Sequence, residues 1–232
     1  GVAAASNGRI YAIAGLSSNW YTNSVEEYNP ATNTWAARAP SPTLRYDFGT
    51  AAASNGKIYA IAGWKYFSPG VGWYTNVVEE YDPTTNSWAT RAPIPTARHV
   101  LAAAAASNGK VYAIGGTLYQ PYPALNTVEE YDPATNTWAT KASMPTARYA
   151  LAAVAAPNGK IYAIGGRTSG GVVSALATVE EYNPATNTWA TKASMPTARY
   201  YLAAVAAPNG KIYAIGGGNF GGLLATVDEY DP

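Results

Sequence analysis

Apolar and polar positions along this chain fall into short runs separated by turn residues. Residues 148–194 show the pattern. Arg148-Tyr149-Ala150-Leu151-Ala152-Ala153-Val154 is a mostly apolar run. Pro157-Asn158-Gly159-Lys160 interrupts it, and Asn-Gly is a strong hairpin signal because both residues tolerate positive φ. Ile161-Tyr162-Ala163-Ile164 follows, closed by Gly165-Gly166. After a variable stretch come Thr178–Tyr182, the turn Asn183-Pro184-Ala185-Thr186-Asn187, and Thr188–Lys192. Short runs bounded by Gly, Pro and Asn are strands, not helices. The stretch predicts a four-stranded antiparallel meander with its first strand starting at Arg148.

The pattern recurs. Tyr-Ala-Ile-Gly/Ala-Gly begins at Tyr11, Tyr59, Tyr112, Tyr162 and Tyr213, at steps of 48, 53, 50 and 51 residues. A period near 50 marks a repeat array in which each sheet buries its faces against its neighbours. Each unit adds a tyrosine in the third strand (Tyr28, Tyr81, Tyr131, Tyr182, Tyr230), and four add a tryptophan in the fourth (Trp35, Trp88, Trp138, Trp189). These aromatics are expected to wedge between sheets. A fully buried Trp removes roughly 150–250 Å² from water, worth about 4–6 kcal/mol as an upper bound.

The succession Gly159-Lys160-Ile161-Tyr162-Ala163-Ile164-Gly165-Gly166, Val179-Glu180-Glu181-Tyr182-Asn183-Pro184 and Asn187-Thr188-Trp189 resembles the kelch repeat over essentially the whole chain. Two units depart from it mildly, with Ala14-Gly15 and Ala62-Gly63. The resemblance implies an all-β fold, a β-propeller of four-stranded antiparallel blades within a single domain, residues 1–232. The expected blades are about 1–40, 41–93, 94–143, 144–194 and 195–232. Pro232 aligns with Pro184 and Gly1 with Ala203, so the fifth blade is expected to lack its outer strand, or the chain to be a window on a longer propeller. An unpaired strand at Val227–Tyr230 would invite self-association. Residues 128–166 and 179–217 match at 37 of 39 positions, differing only at Asp132/Asn183 and Ala150/Tyr201. Identity of that degree is also what an engineered or recently amplified scaffold without an evolved ligand would show.

Composition narrows the function. Lys+Arg number 15 and Asp+Glu 14, which disfavours a nucleic-acid partner. No apolar run is long enough for membrane insertion. Cysteine is absent and His99 is the single histidine, so no copper, zinc or other metal centre and no cofactor is expected. No Gly-x-Ser-x-Gly elbow supports hydrolase chemistry. The pairs Glu26-Glu27, Glu79-Glu80, Glu129-Glu130 and Glu180-Glu181 point to opposite faces of their strands and repeat, which is a structural signature. The chain is therefore read as non-enzymatic.

The stretches after the double glycine vary in length and content, and variable loops on a rigid scaffold are where binding residues concentrate. They carry Trp20, Tyr21, Trp64, Tyr66, Phe67, Trp73, Tyr74, Tyr119, Tyr122 and Phe220. On the same face, Arg45-Tyr46, Arg98-His99, Arg148-Tyr149 and Arg199-Tyr200-Tyr201 are expected to ring the mouth of the channel. Aromatic and Arg groups dominate binding hot spots. By resemblance this face is the ligand face. The expected ligand is a protein or peptide; a carbohydrate, on a secreted or cell-surface protein, is the alternative. The plainer reading is that each Arg braces its own blade and the tyrosines fill the core. His99 stands where other units have Tyr, which reads as a local substitution.

Overall fold

A computed structural model describes residues 1–16, 21–68, 71–118, 123–169 and 174–232. Blade 1 consists of Val2–Ala4, Ile10–Leu16, Tyr21–Asn29 and Thr34–Arg38. Blade 2 is Gly49–Ala52, Ile58–Ile61, Val78–Asp82 and Ser87–Arg91. Blade 3 is Ala102–Ala105, Val111–Ile114, Val128–Asp132 and Thr137–Thr140. Blade 4 is Ala152–Ala155, Ile161–Ile164, Val179–Asn183 and Thr188–Lys192. Blade 5 has three strands, Ala203–Ala206, Ile212–Ile215 and Val227–Tyr230, so its last strand is a free edge. Every pairing is antiparallel, and the five inner strands together line a central channel of about 340 Å³.

Turn chemistry sets the register. In blade 2 the Asn55 carboxamide accepts from Lys57 N–H at 3.0 Å, and Gly56 takes φ 79°. The same Asn55 donates to the Tyr59 hydroxyl at 2.9 Å, and Tyr59 donates to Glu80 at 2.6 Å. The second carboxylate of the Glu-Glu pair thus anchors the Asn-Gly turn to the third strand.

Blades join through a repeated aromatic latch. The second-strand tyrosine of one blade meets the third-strand tyrosine of the next: Tyr11–Tyr81 at 5.6 Å, Tyr59–Tyr131 at 5.4 Å, Tyr112–Tyr182 at 5.6 Å and Tyr162–Tyr230 at 5.9 Å. Edge-to-face pairs of this kind add about 0.5–1.5 kcal/mol each beyond area burial. Trp88, Trp138 and Trp189 each donate an indole N–H to a carbonyl of the preceding blade (Ala39, Ala92, Ala142) at 2.9 Å. Asn86, Asn136 and Asn187 return the link by accepting the N–H of those alanines at 2.8 Å.

Three expectations need correction. The tryptophans are not fully buried wedges. Trp88, Trp138 and Trp189 are half-buried against the blade's own tyrosine, and Trp35, which lies against Tyr28, is 59% exposed. The first strand of blade 4 begins at Ala152, not Arg148, because Ala150 adopts φ 53° and breaks the extended run. The stretch Trp64–Val77 is not all loop: Trp64–Ser68 and Val71–Tyr74 form a hairpin that pairs with Arg45–Tyr46. The flanks where no further blade packs leave apolar surface open, at Val2 on blade 1 and at Val205, Ile215 and Val227 on blade 5.

Candidate functional site

The residues after the arginine that precedes each inner strand of blades 2 to 5 position the loop face. Tyr46, His99, Tyr149 and Tyr200 bridge antiparallel to Trp64, Thr117, Arg167 and Gly218, the first residues beyond the glycine pairs. That pairing brings the repeated aromatics beside the variable stretches, as the sequence predicts.

The arginines are elsewhere. Arg45, Arg98, Arg148 and Arg199 are 0% exposed. Arg148 donates to Glu180 at 2.7 Å and to the carbonyls of Thr178, Gly165 and Ala163 at 3.0–3.2 Å. Arg45 meets Glu79 at 2.6 Å, Arg199 meets Asp228 at 2.6 Å, and Arg98 pairs with Glu129. Burial pulls the Arg45 and Arg148 guanidiniums down to about 10, with the facing carboxylates opposing that shift, so both stay charged at neutral pH. These four side chains brace strands from inside and are not in reach of a ligand. The expected ring of arginines at the channel mouth is absent because the backbone turns at the left-handed residue two positions later (Asp47, Val100, Ala150, Tyr201), leaving each guanidinium beneath the surface.

Two aromatic clusters remain on the face. In the first, Tyr21 stacks on Tyr66 at 4.1 Å and on Tyr46 at 5.3 Å. Trp64 meets His99 edge-on at 5.4 Å, and Trp73 on the hairpin is 56% exposed, with half-buried Tyr74 next to it. In the second, the Arg167 guanidinium lies over Tyr200 at 4.6 Å, Phe220 at 5.7 Å and Tyr149 at 5.9 Å, and Tyr201 adjoins Tyr200 at 5.8 Å. Trp20, Tyr119 and Tyr122 lie outside the described residues. Sequence reasoning passed over Arg167 and Asp47 as site residues. Both were visible as the charged member at a position that is uncharged in the other repeats: Trp64, Thr117 and Gly218 correspond to Arg167, and Val100, Ala150 and Tyr201 to Asp47.

His99 is 7% exposed with neither ring nitrogen hydrogen-bonded, and burial pulls it down to about 4. The folded ring is therefore neutral where an unfolded His, near 6.5, takes up a proton. Stability from this group is complete above pH 6.5 and is lost as pH falls toward 4. Relative to His99→Tyr, which installs the residue of the sister blades, the natural chain is expected to lose about 2 kcal/mol between pH 7 and pH 5. Parallel urea melts at the two pH values check this; equal losses in both proteins would refute it. Among the described residues no group of three His, Asp or Glu is placed to hold a metal ion.

Comparison with known proteins places this architecture. A family model described as "Kelch motif" matches residues 2–42, 46–95, 98–145, 148–196 and 199–232. Kelch-like protein 35 of Mus musculus is 28% identical over 114 residues, covering 48% of this chain and 18% of that protein, so the chain spans under a fifth of that relative's length. A solved structure titled "Structure of YjhT" superposes with a TM-score of 0.80 at 18% identity, covering 99% of this chain and 82% of that one. At that identity the likeness is one of fold.

Proposed function

Because the chain belongs to the kelch-motif family, we propose from its geometry that it is a non-enzymatic platform that binds a protein or peptide on the variable-loop face. The observation that carries this reading is the contrast between the two halves of the candidate set. The repeated arginines are sealed into ion pairs, while the non-repeated Tyr66, Trp73 and Phe220 lie at the surface on a rigid base. Architecture does not require aromatics there, and rigid, partly exposed Tyr and Trp are the residues that anchor partner proteins at low entropic cost. The absence of an enzymatic role is supported by the fate of the reactive groups. His99 is buried against Trp64, and both members of the glutamate pairs in blades 2, 3 and 4 are taken up by arginines, lysines and turn tyrosines.

The test is selection of peptides from a random display library on the immobilised chain. Selected peptides are expected to lose about thirtyfold in affinity on Trp73→Ala or Tyr66→Ala, the scale of an interface hot spot near 2 kcal/mol. The unfolding curves should shift by no more than about 0.5–1.5 kcal/mol, the worth of a lost aromatic pair, because neither side chain is in the core. Peptides indifferent to both changes, or capture of saccharides alone on a glycan array, would end this reading, the latter in favour of a carbohydrate ligand stacked on Trp73.

A further inference from the structure

Four residues at the mouth of the central channel do something that blade architecture does not require. Asp47, Val100, Ala150 and Tyr201 occupy the same place in successive blades, with φ of 54°, 53°, 53° and 52°. Their backbones are chained: Val100 N–H donates to the Asp47 carbonyl at 2.7 Å, Ala150 to Val100 at 3.0 Å, and Tyr201 to Ala150 at 2.8 Å. Glycine holds this left-handed shape freely and aspartate visits it readily, whereas Val100, Ala150 and Tyr201 pay roughly 1–2 kcal/mol there, the β-branched valine being a true outlier. Strain that the surroundings sustain points to a position kept for its side chain. The side chains also differ where nearly everything around them repeats. Ala150/Tyr201 is one of the two differences across 39 aligned positions of neighbouring repeats.

Asp47 and Tyr201, at the two ends of this arc, line one cavity of about 200 Å³, whose apolar wall includes Leu101, Leu151 and Leu202. The Ala-rich inner strands begin directly below these leucines. Eleven of the 14 carboxylates in the chain are held in ion pairs with Lys or Arg side chains; Asp47 is not, and the positive group acting on it is the Gly1 ammonium, which makes no ion-pair contact with it and donates instead to the Ile13 carbonyl at 2.7 Å. A half-buried carboxylate beside leucine side chains favours a cation on an apolar stem, because the charge gains a close ion-pair partner and the stem can lie against the leucines. A single carboxylate suits the compact ammonium of lysine, with its four-carbon stem, better than the planar fork of arginine, which is matched by bidentate acceptors.

We infer that the channel mouth receives a lysine side chain of a protein partner, with Asp47 as counter-ion, Tyr201 as the second polar wall and the three leucines along the stem. The inference rests on the platform reading and gives that face its chemistry. Asp47→Asn removes the charge at constant shape. Tyr201→Ala installs the residue that blade 4 already carries in the same backbone conformation, so both variants are expected to fold.

The experiment is an NMR titration of the whole chain with Nα-acetyl-lysine N-methylamide, alongside the uncharged norleucine analogue. The lysine probe is expected to shift the amides of Val100, Ala150 and Tyr201, with affinity falling about ten- to a hundredfold in Asp47→Asn, the range of a charge-assisted contact. The norleucine probe is expected to bind at least tenfold more weakly than the lysine probe. Equal binding of the two probes, an unchanged affinity in Asp47→Asn, or shifts confined to residues away from the mouth would each overturn the inference. Display peptides that bind the loop face without a lysine, with no response to the lysine probe, would sink the lysine site and leave the platform standing. A lysine response with no peptide captured would do the reverse.

Discussion

Arg148→Met is expected to destabilise the fold by about 4 kcal/mol, more than any single change on the loop surface. The guanidinium is fully buried and ties the third strand to the second, reaching Glu180 and three backbone carbonyls. Removing it strands the Glu180 carboxylate, itself 1% exposed, with only the Thr146 hydroxyl at 2.7 Å as a neutral partner. The three carbonyls lose their donor as well. The cost is mainly that of an orphaned buried charge, so Arg148→Met/Glu180→Gln is expected to recover a large part of it even though it removes more native groups. Urea denaturation of the single and double variants measures this, and coupling between the two sites follows from the cycle. A loss below about 1 kcal/mol in Arg148→Met would show that water reaches Glu180 and that the pair is not the brace described above.

The same arginine marks the boundary of what the chain discloses before folding. The repeat, the four strands of each full blade and the Asn-Gly turns were legible, because a strand needs only a short apolar run between turn residues. The direction of Arg148 was not. It depends on the left-handed turn at Ala150, and alanine carries no signal for positive φ. An Arg followed by Tyr on a variable face therefore looked like a binding pair, although one member is core and the other surface. The tryptophans misled for a related reason. An indole repeated in four blades suggests burial, yet the outer strand faces solvent on one side, and Trp138 secures the neighbouring blade largely through one hydrogen bond to Ala92. Asp47 and Arg167 escaped notice because a search for repeated residues discards the ones that break the repeat. On a scaffold this regular, those exceptions carry the most functional information.

Gly166→Ala is expected to cost about 3 kcal/mol with no simple rescue, whereas Gly165→Ala should be rescued by a change at Met195. The two glycines look alike in sequence but differ in backbone. Gly166 has φ 103°, a region essentially closed to residues with a Cβ, and an added Cβ would sit 2.8 Å from the Tyr149 carbonyl and 3.0 Å from the Leu151 Cβ. All five repeats keep glycine there, at Gly15, Gly63, Gly116, Gly166 and Gly217. Gly165 has φ 62°, which alanine tolerates at modest cost; its Cβ would meet the Arg199 carbonyl at 2.5 Å and the Met195 terminal methyl at 3.1 Å. Blade 2 shows how that crowding resolves: Ala62, at φ 58°, packs in one cluster with Ile94, which stands where blades 3 and 4 carry Met144 and Met195. The shorter, branched side chain frees the room that the extra methyl needs, and the backbone settles around it. Gly165→Ala alone is therefore expected to lose about 2 kcal/mol, and Gly165→Ala/Met195→Ile to regain at least half of that. Thermal and urea melts of the three proteins decide it. A double variant no more stable than Gly165→Ala would mean that the Arg199 carbonyl, not the methionine, sets the limit at that glycine.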